Sequence, residues 1–202
     1  MIDGEIKMTD QGNTEPLELR MFFFVPYNIS PIQQGIQAGH ALGRYCLGYG
    51  RHDPQHIIWD FLEQWETWVI LNGGTTNDER NFETIPVGSL NQIGDQLQEN
   101  DIEFAYFHEP DLNNALTALC FICDERVFKR KDYPDFIDYI FDVKMYPDVR
   151  KDVPEANYVM LKMQTKEWHQ ENFPEYYKEW VRFIGGVKNV FLRELIKDKK
   201  LA

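Results

Sequence analysis

No stretch of this 202-residue chain approaches the roughly 18 uninterrupted apolar residues that a membrane span needs, and its first residues have neither a basic run nor an apolar core of the kind that marks an export signal. The compartment this implies is the cytoplasm. Cysteines are few and odd in number, Cys46, Cys120 and Cys123, which excludes a disulfide framework and leaves reduced thiols as the expectation. Basic residues are scarce over most of the length. Residues 1–125 carry 20 Asp and Glu against 5 Lys and Arg, a net −15, whereas residues 126–202 carry 13 against 16, a net +3. A phosphate backbone is held mainly by Lys and Arg, so the first segment is a poor polyanion binder. Internal repeats and low-complexity tracts are also missing, which removes solenoid and linker architectures.

What is present is ample apolar material. At 43% hydrophobic and 14% aromatic, the chain can bury enough surface to offset chain entropy. Its length allows one sizeable core, or a core with an appended subdomain. Residues 1–17 are polar and aperiodic and read as a loose arm. The run Leu19 to Val25, continuously apolar from Met21 and stopped by Pro26, has the look of a central strand buried on both faces.

Ser30 and Pro31 then open a helix carrying Ile32, Ile36, Gly39, Leu42 and Cys46 at helical spacing. Its small residues, Gly35, Ala38, Gly39, Ala41 and Gly43, predict close packing on the sheet. A second helix is expected from His52-Asp53-Pro54 onward, then a strand Trp68 to Leu71 stopped by Asn72-Gly73-Gly74. Thr75 to Pro86 reads as a loop. Leu90, Ile93 and Leu97 predict a helix ending at Asn100, followed by strands Ile102 to Phe107 and Leu116 to Ile122.

The fold class is therefore α/β, a small sandwich with a four-stranded mixed β-sheet flanked by helices, plus a mainly helical C-terminal extension. The domain organisation is an arm 1–17, a core 18–125 and an extension 126–202. In the extension, Tyr133, Phe136, Ile137, Ile140 and Phe141 predict an aromatic helix, with Pro147 and Pro154 punctuating the residues after it. Tyr158 to Met163 reads as a strand. Pro174 opens a helix that Gly185-Gly186 ends, and a last helix has Val187, Val190, Phe191 and Leu195 on one face. The extension is expected to cover the sheet or a second copy, so a homodimer is one partner to consider.

Among chemistry-bearing residues, Gln37-Ala38-Gly39-His40-Ala41 is the most specific local feature. Gln37 and His40, three apart, share a helix face near an N-terminus that offers unpaired N–H groups. They are suited to orient a water or an oxyanion, the plainer alternative being a hydrogen-bonded packing histidine. His108-Glu109-Pro110-Asp111 follows a predicted strand, where Glu109 or Asp111 beside a histidine is placed to act as a general base, or simply to make a turn with Asn113 and Asn114. Cys120 and Cys123 are three apart on a strand, hence on opposite faces, and do not form a metal pair. His52 and His56 are four apart, with no third ligand evident. Gly73-Gly74 lacks a phosphate-loop pattern. No metal and no cofactor is called for. The tryptophans read as core or interface anchors.

The strand Met21 to Val25, the Gln37-x-x-His40-Ala41 element in a small-residue helix, the strand Trp68 to Leu71 and the later helix and strand leading to His108-Glu109 together resemble the class II peptidyl-tRNA hydrolases, over residues 19–124. That resemblance implies a compact α/β fold with a four-stranded mixed sheet and hydrolysis of the ester joining a peptide to tRNA. It implies roles for Gln37 and His40, which match the family's Gln and His. Glu109 falls where the family has an Asp, with His108 for its Gln and Asp111 for its Gly. Gln33 stands where the family has a Lys, and Asn113 where it has a Thr, with Thr117 the next hydroxyl along. The Glu-Pro-Asp-Leu-Asn-Asn stretch also looks like members of this superfamily encoded by tailed bacteriophages and bacteria, which would make the cytoplasm that of an infected host.

Two functions emerge as expectations. In the first, a diverged hydrolase acts on an ester or acyl-tRNA-like substrate, with His40 and Glu109 or Asp111 handling protons and Gln33, Gln37, His108 and Asn113 contacting substrate. In the second, a non-catalytic binding module keeps the fold and turns its acidic face to a basic protein partner.

Overall fold

The computed structural model describes residues 6–8, 14–81, 87–144 and 155–202. Its element order begins with β1 (Ile6–Met8) and β2 (Thr14–Pro16), which pair antiparallel where a loose arm was expected. Backbone pairing of two three-residue strands needs no apolar periodicity, so the sequence pattern carried no sign of it.

The sheet is built outward from β3 (Leu19–Pro26). Met21 to Val25 are all at most 4% exposed, so this strand needs cover on both faces and a neighbour on each side. Its neighbours are β4 (Trp68–Gly74), parallel, and β6 (Ala115–Asp124), antiparallel. β5 (Ala105–Glu109) pairs antiparallel with β6 at the outside, giving the order β4-β3-β6-β5. A parallel pair requires a crossover, and α1 (Pro31–Gly48) with α2 (Ile57–Asp60) and the π-turn Phe61–Trp65 supplies it. The expected four-stranded mixed sheet flanked by helices is what the chain forms.

Each face has its own core. On the α1 side, Met21, Phe23 and Val25 pack with Ala38, Ala41, Tyr45, Ile58, Phe61, Ala118 and Cys120. On the other, Phe22 and Phe121 stack at 5.9 Å, and α3 (Ser89–Glu99) turns Leu90, Ile93 and Leu97 inward. Cys120 and Cys123 are buried on opposite faces, as their spacing predicts.

α1 starts as its sequence says it should. The Ser30 hydroxyl accepts from the Gln33 N–H and the Gln33 side chain accepts from the Ser30 N–H, with Pro31 at the first turn. The expectation about small residues holds only for the alanines. Ala38 and Ala41 are fully buried, but a Cβ at Gly35, Gly39 or Gly43 would meet nothing within 4 Å. Gly73 and Gly74 are glycines under steric demand. They pass beneath α3, where a Cβ would lie 2.6 Å from Leu90 and a clashing distance from the Ser89 Oγ, and Gly74 has φ +82.

Two boundaries move and one element changes type. The second helix begins at Ile57, because the His56 Nδ1 accepts from the Ile58 N–H and Asp53 closes a local turn on the Gln55 N–H. The strand expected from Ile102 begins instead at Ala105. Asp101 adopts φ +53 and the Ile102 N–H returns to the Leu97 carbonyl, so these residues close α3. Tyr158 to Met163 lies mostly in a helix, α6 (Glu155–Lys162), not a strand, since a short apolar run does not by itself choose a period. Pro147, Pro154 and residues 82–86 of the expected Thr75 to Pro86 loop lie outside the described residues.

The chain divides into two compact units, Met1–Glu125 with Leu195–Ala202, and Arg126–Glu194. The second holds α5 (Phe136–Asp138) with the π-turn Tyr139–Lys144, α6, α7 (Lys166–Asn172), α8 (Pro174–Phe183) and most of α9 (Val187–Ile196), after the short α4 (Glu125–Phe128). Phe136, Ile140, Phe141, Trp180 and Ile184 form its core. Gly185 and Gly186, at φ +87 and +104, end α8 as expected. Of the expected α9 face, Leu195 is buried and Val190 packs on the core, but the helix departs from it at two positions. Val187 is exposed and Arg193 is 1% exposed, donating to the carbonyls of Arg126 and Tyr133 and to the Asp135 carboxylate. A paired guanidinium can occupy a core position that an apolar pattern would not assign to it.

In the first unit, residues 195–202 reach the outer edge of β4. The Asn72 N–H donates to the Lys200 carbonyl at 2.9 Å and the Ala202 N–H to the Ile70 carbonyl at 3.0 Å. No helix among the described residues is long and apolar enough to cross a membrane.

Burial pushes the Cys120 and Cys123 thiols above their ordinary 9.0 and the Tyr45 phenol above 10.0. The folded chain therefore keeps protons that the unfolded chain loses. Stability should be level up to about pH 8 and fall above about pH 9, by about 1.4 kcal/mol per pH unit for each group once past its unfolded value. Urea midpoints measured from pH 7 to 10.5 test this; a flat profile would contradict it.

Candidate functional site

The C-terminal half of β5 runs toward the N-terminal half of α1. A bulge between Phe107 and His108 shifts the strand's register, and Pro110, lacking an N–H, starts the short 3-10 turn Pro110–Leu112. Asn113 and Asn114 then adopt φ +52 and +54, a left-handed conformation that asparagine tolerates best among side-chain-bearing residues. The chain reverses into β6, and Thr117 on that strand comes beneath Gln37.

Three side chains from three elements meet here. The Gln37 Nε2 donates to the Glu109 Oε2 at 2.7 Å, and the Thr117 hydroxyl donates to the Gln37 Oε1 at 2.7 Å. Gln37 is 6% and Thr117 1% exposed, so both ends of a buried amide are satisfied and its orientation is fixed by its partners. The second Glu109 oxygen, Oε1, accepts from the Asp111 N–H at 3.3 Å. Glu109 itself is only half-buried and retains a path to solvent.

His40, one turn beyond Gln37, is exposed. Its ring stacks on Phe107 at 4.4 Å and 22°, two residues before Glu109 on β5. The helix and strand thus place a histidine and a carboxylate on one side of the molecule, with the carboxylate held by an amide. This arrangement can carry proton transfer to and from a water.

The remaining residues singled out in the sequence are placed differently. Gln33 is exposed and spends its carbonyl on the α1 cap. The His108 Nδ1 donates to the Asn114 carbonyl at 2.7 Å and so carries the proton, holding the turn closed. Asp111 is exposed and meets Glu109 through its backbone only. The Asn113 carbonyl accepts from the Glu79 N–H, and the Asn114 amide donates to the Glu79 carboxylate, so this turn is tied to the 77–81 loop. His52 lies in a 3-10 turn while His56 caps α2 and bonds Glu103 at 3.0 Å, which separates the two imidazoles. Among the described residues no group of three or more His, Cys, Asp or Glu is arranged to hold a metal ion.

Two neighbours went unassigned in the sequence. Thr117 appeared only as a nearby hydroxyl, and nothing in its strand pattern distinguishes it from an ordinary core threonine. Arg44 was missed outright. It lines an open groove with Phe107 and His108, and its position four residues after His40 and seven after Gln37 puts all three on one helical stripe, a signal that was available. No family model matches the chain and no curated protein matches its sequence.

Replacing Thr117 by Val keeps the shape but leaves the buried Gln37 oxygen without a donor. Thr117→Val should lower stability by about 1–3 kcal/mol, with Thr117→Ser well above it. Urea denaturation of the two variants checks this, and equal midpoints would mean the hydroxyl does not hold Gln37.

Proposed function

We propose that this chain is a diverged, peptidyl-tRNA hydrolase-like hydrolase of carboxylic esters, acting on an ester or acyl-tRNA-like substrate at the start of the Gln37 helix. The observation that carries the reading is the 2.7 Å bond between Gln37 and Glu109, residues 72 apart in sequence that the resemblance assigned to one site. In this scheme the Glu109 carboxylate takes a proton from water as its oxygen attacks the ester carbonyl. The C–O bond to the leaving alcohol breaks, and His40 delivers a proton to that oxygen. Glu109 then gives up its proton to solvent and His40 takes one back from it, leaving acid and alcohol as products. Gln37, held by Thr117, keeps Glu109 in register. The cytoplasm, of an infected host if the chain is phage-encoded, is the compartment that goes with this chemistry.

A second reading is a non-catalytic module that keeps the fold and binds a basic protein. It is favoured by the net −15 of residues 1–125 and by the placement of Gln33 where the family carries a Lys.

Purified peptidyl-tRNA should be hydrolysed by the wild type. Turnover should fall by about 100-fold or more in His40→Ala and in Glu109→Gln while each variant keeps its circular dichroism spectrum. Absence of wild-type turnover at low and moderate salt, or full activity in both variants, would eliminate the hydrolase and leave the binding module.

A further inference from the structure

The two edges of the sheet are treated differently. The β4 edge is bonded to the chain's own residues 200–202. β5 closes the other side of the sheet, with no further strand paired to it among the described residues, and along this free edge runs an open groove of about 480 Å³ lined by Arg44, Gly48, Tyr49 and residues 104–108. Successive strand residues point to opposite faces, so a groove touching five in a row runs along the strand's edge, where backbone N–H and C=O groups face outward. Of these groups, the Phe104 carbonyl accepts from the Tyr49 hydroxyl at 3.1 Å. Beside the edge stands a row of rings, Phe104 to Tyr106 at 6.3 Å and Tyr106 to His108 at 5.5 Å, with Tyr106 55% exposed. Natural proteins blunt such edges with lysines, prolines, bulges or cover; this strand has neither a lysine nor a proline within it, and its bulge, between Phe107 and His108, leaves the stretch from Ala105 to Phe107 regular.

Charge decides what would lie there. Between Arg80 and Arg126 the sequence contains no Lys or Arg, and the strand is preceded by Glu99, Asp101 and Glu103 and followed at its end by Glu109 and Asp111. An acidic strand, including the same strand of a second copy, would bring like charge against this acidic surround. Arg44, the cation among the described residues lining the groove, can donate to peptide carbonyls and is outnumbered by the acids.

We propose that the free edge of β5 is a docking site for an extended, basic segment of a partner protein, which adds to the four-stranded sheet as another strand. Main-chain bonds supply the affinity. Alternate apolar side chains pack on the Phe104, Tyr106 and His108 row, and flanking lysines or arginines meet the acids at either end. This deepens the binding-module reading and rests on it, and it requires no ester chemistry.

The test uses the full chain and a labelled, end-blocked peptide, Lys-Lys-Thr-Val-Thr-Val-Thr-Lys-Lys. Two control peptides accompany it, one with Glu for every Lys and one with alternate amides N-methylated. Binding should weaken with added salt, fall by about tenfold or more in Tyr106→Arg and with either control, and slow amide hydrogen exchange across residues 104–108. Tyr106 is largely exposed, so the variant retains its fold. Equal binding by the N-methylated or the Glu peptide would overturn the proposal. Binding that leaves exchange at 104–108 unchanged would place a basic partner elsewhere, sinking the edge site while the module reading survives. No binding would sink both. A dimer in sedimentation with 104–108 already protected would give the edge to a second copy and likewise overturn the proposal.

Discussion

Complete burial of β3 is the constraint on which the rest of the first unit depends. A strand with Phe22, Phe23 and Phe24 all inside cannot sit at an edge or on a half-solvated sheet, so both its sides and both its faces must be filled. Filling one side in parallel obliges the chain to cross over through α1 and α2. Filling the other brings β6 back antiparallel and leaves β5 outermost. The candidate site is a by-product of this routing. Gln37 is carried by the crossover helix, Glu109 by the outer strand and Thr117 by the strand between, and their contact depends on α1 lying over β5 and β6.

That layout was legible where apolar pattern alone sets structure. The run Leu19 to Val25, the spacing Leu90, Ile93, Leu97 and the Gly185-Gly186 stop are local signals, and each element formed where its pattern put it. Two misplaced boundaries and the buried Arg193 share a different cause. His56 capping α2, Asp101 and Ile102 closing α3, and Arg193 in the interior all depend on hydrogen bonds whose partners the periodicity does not name. Gly35, Gly39 and Gly43 misled for the opposite reason. Small residues permit close approach without requiring it, and of the small residues in α1 only the alanines are buried against the sheet.

The site divides along the same line. Gln37 and Glu109 were found because a resemblance paired them across 72 residues, which no local rule does. Gln33, His108 and Asn113 came with the same resemblance; here the Gln33 side chain caps α1, while the His108 Nδ1 and the Asn113 carbonyl close the turn after β5. The Glu109 carboxylate itself is held by the Gln37 amide and the Asp111 N–H, with the exposed His40 stacked on Phe107 two residues before it. The buried Gln37 amide, set between Thr117 and Glu109, joins the helix carrying His40 to the strand end carrying the carboxylate.

The most direct test of that joint is a double-mutant cycle on Gln37→Ala and Glu109→Ala, read as unfolding free energy in urea. If the two side chains hold α1 to β5 as described, the double variant will depart from the sum of the singles by about 0.5–3 kcal/mol. Additivity within error would mean that Gln37 and Glu109 do not act on each other and that the site is not assembled as one unit.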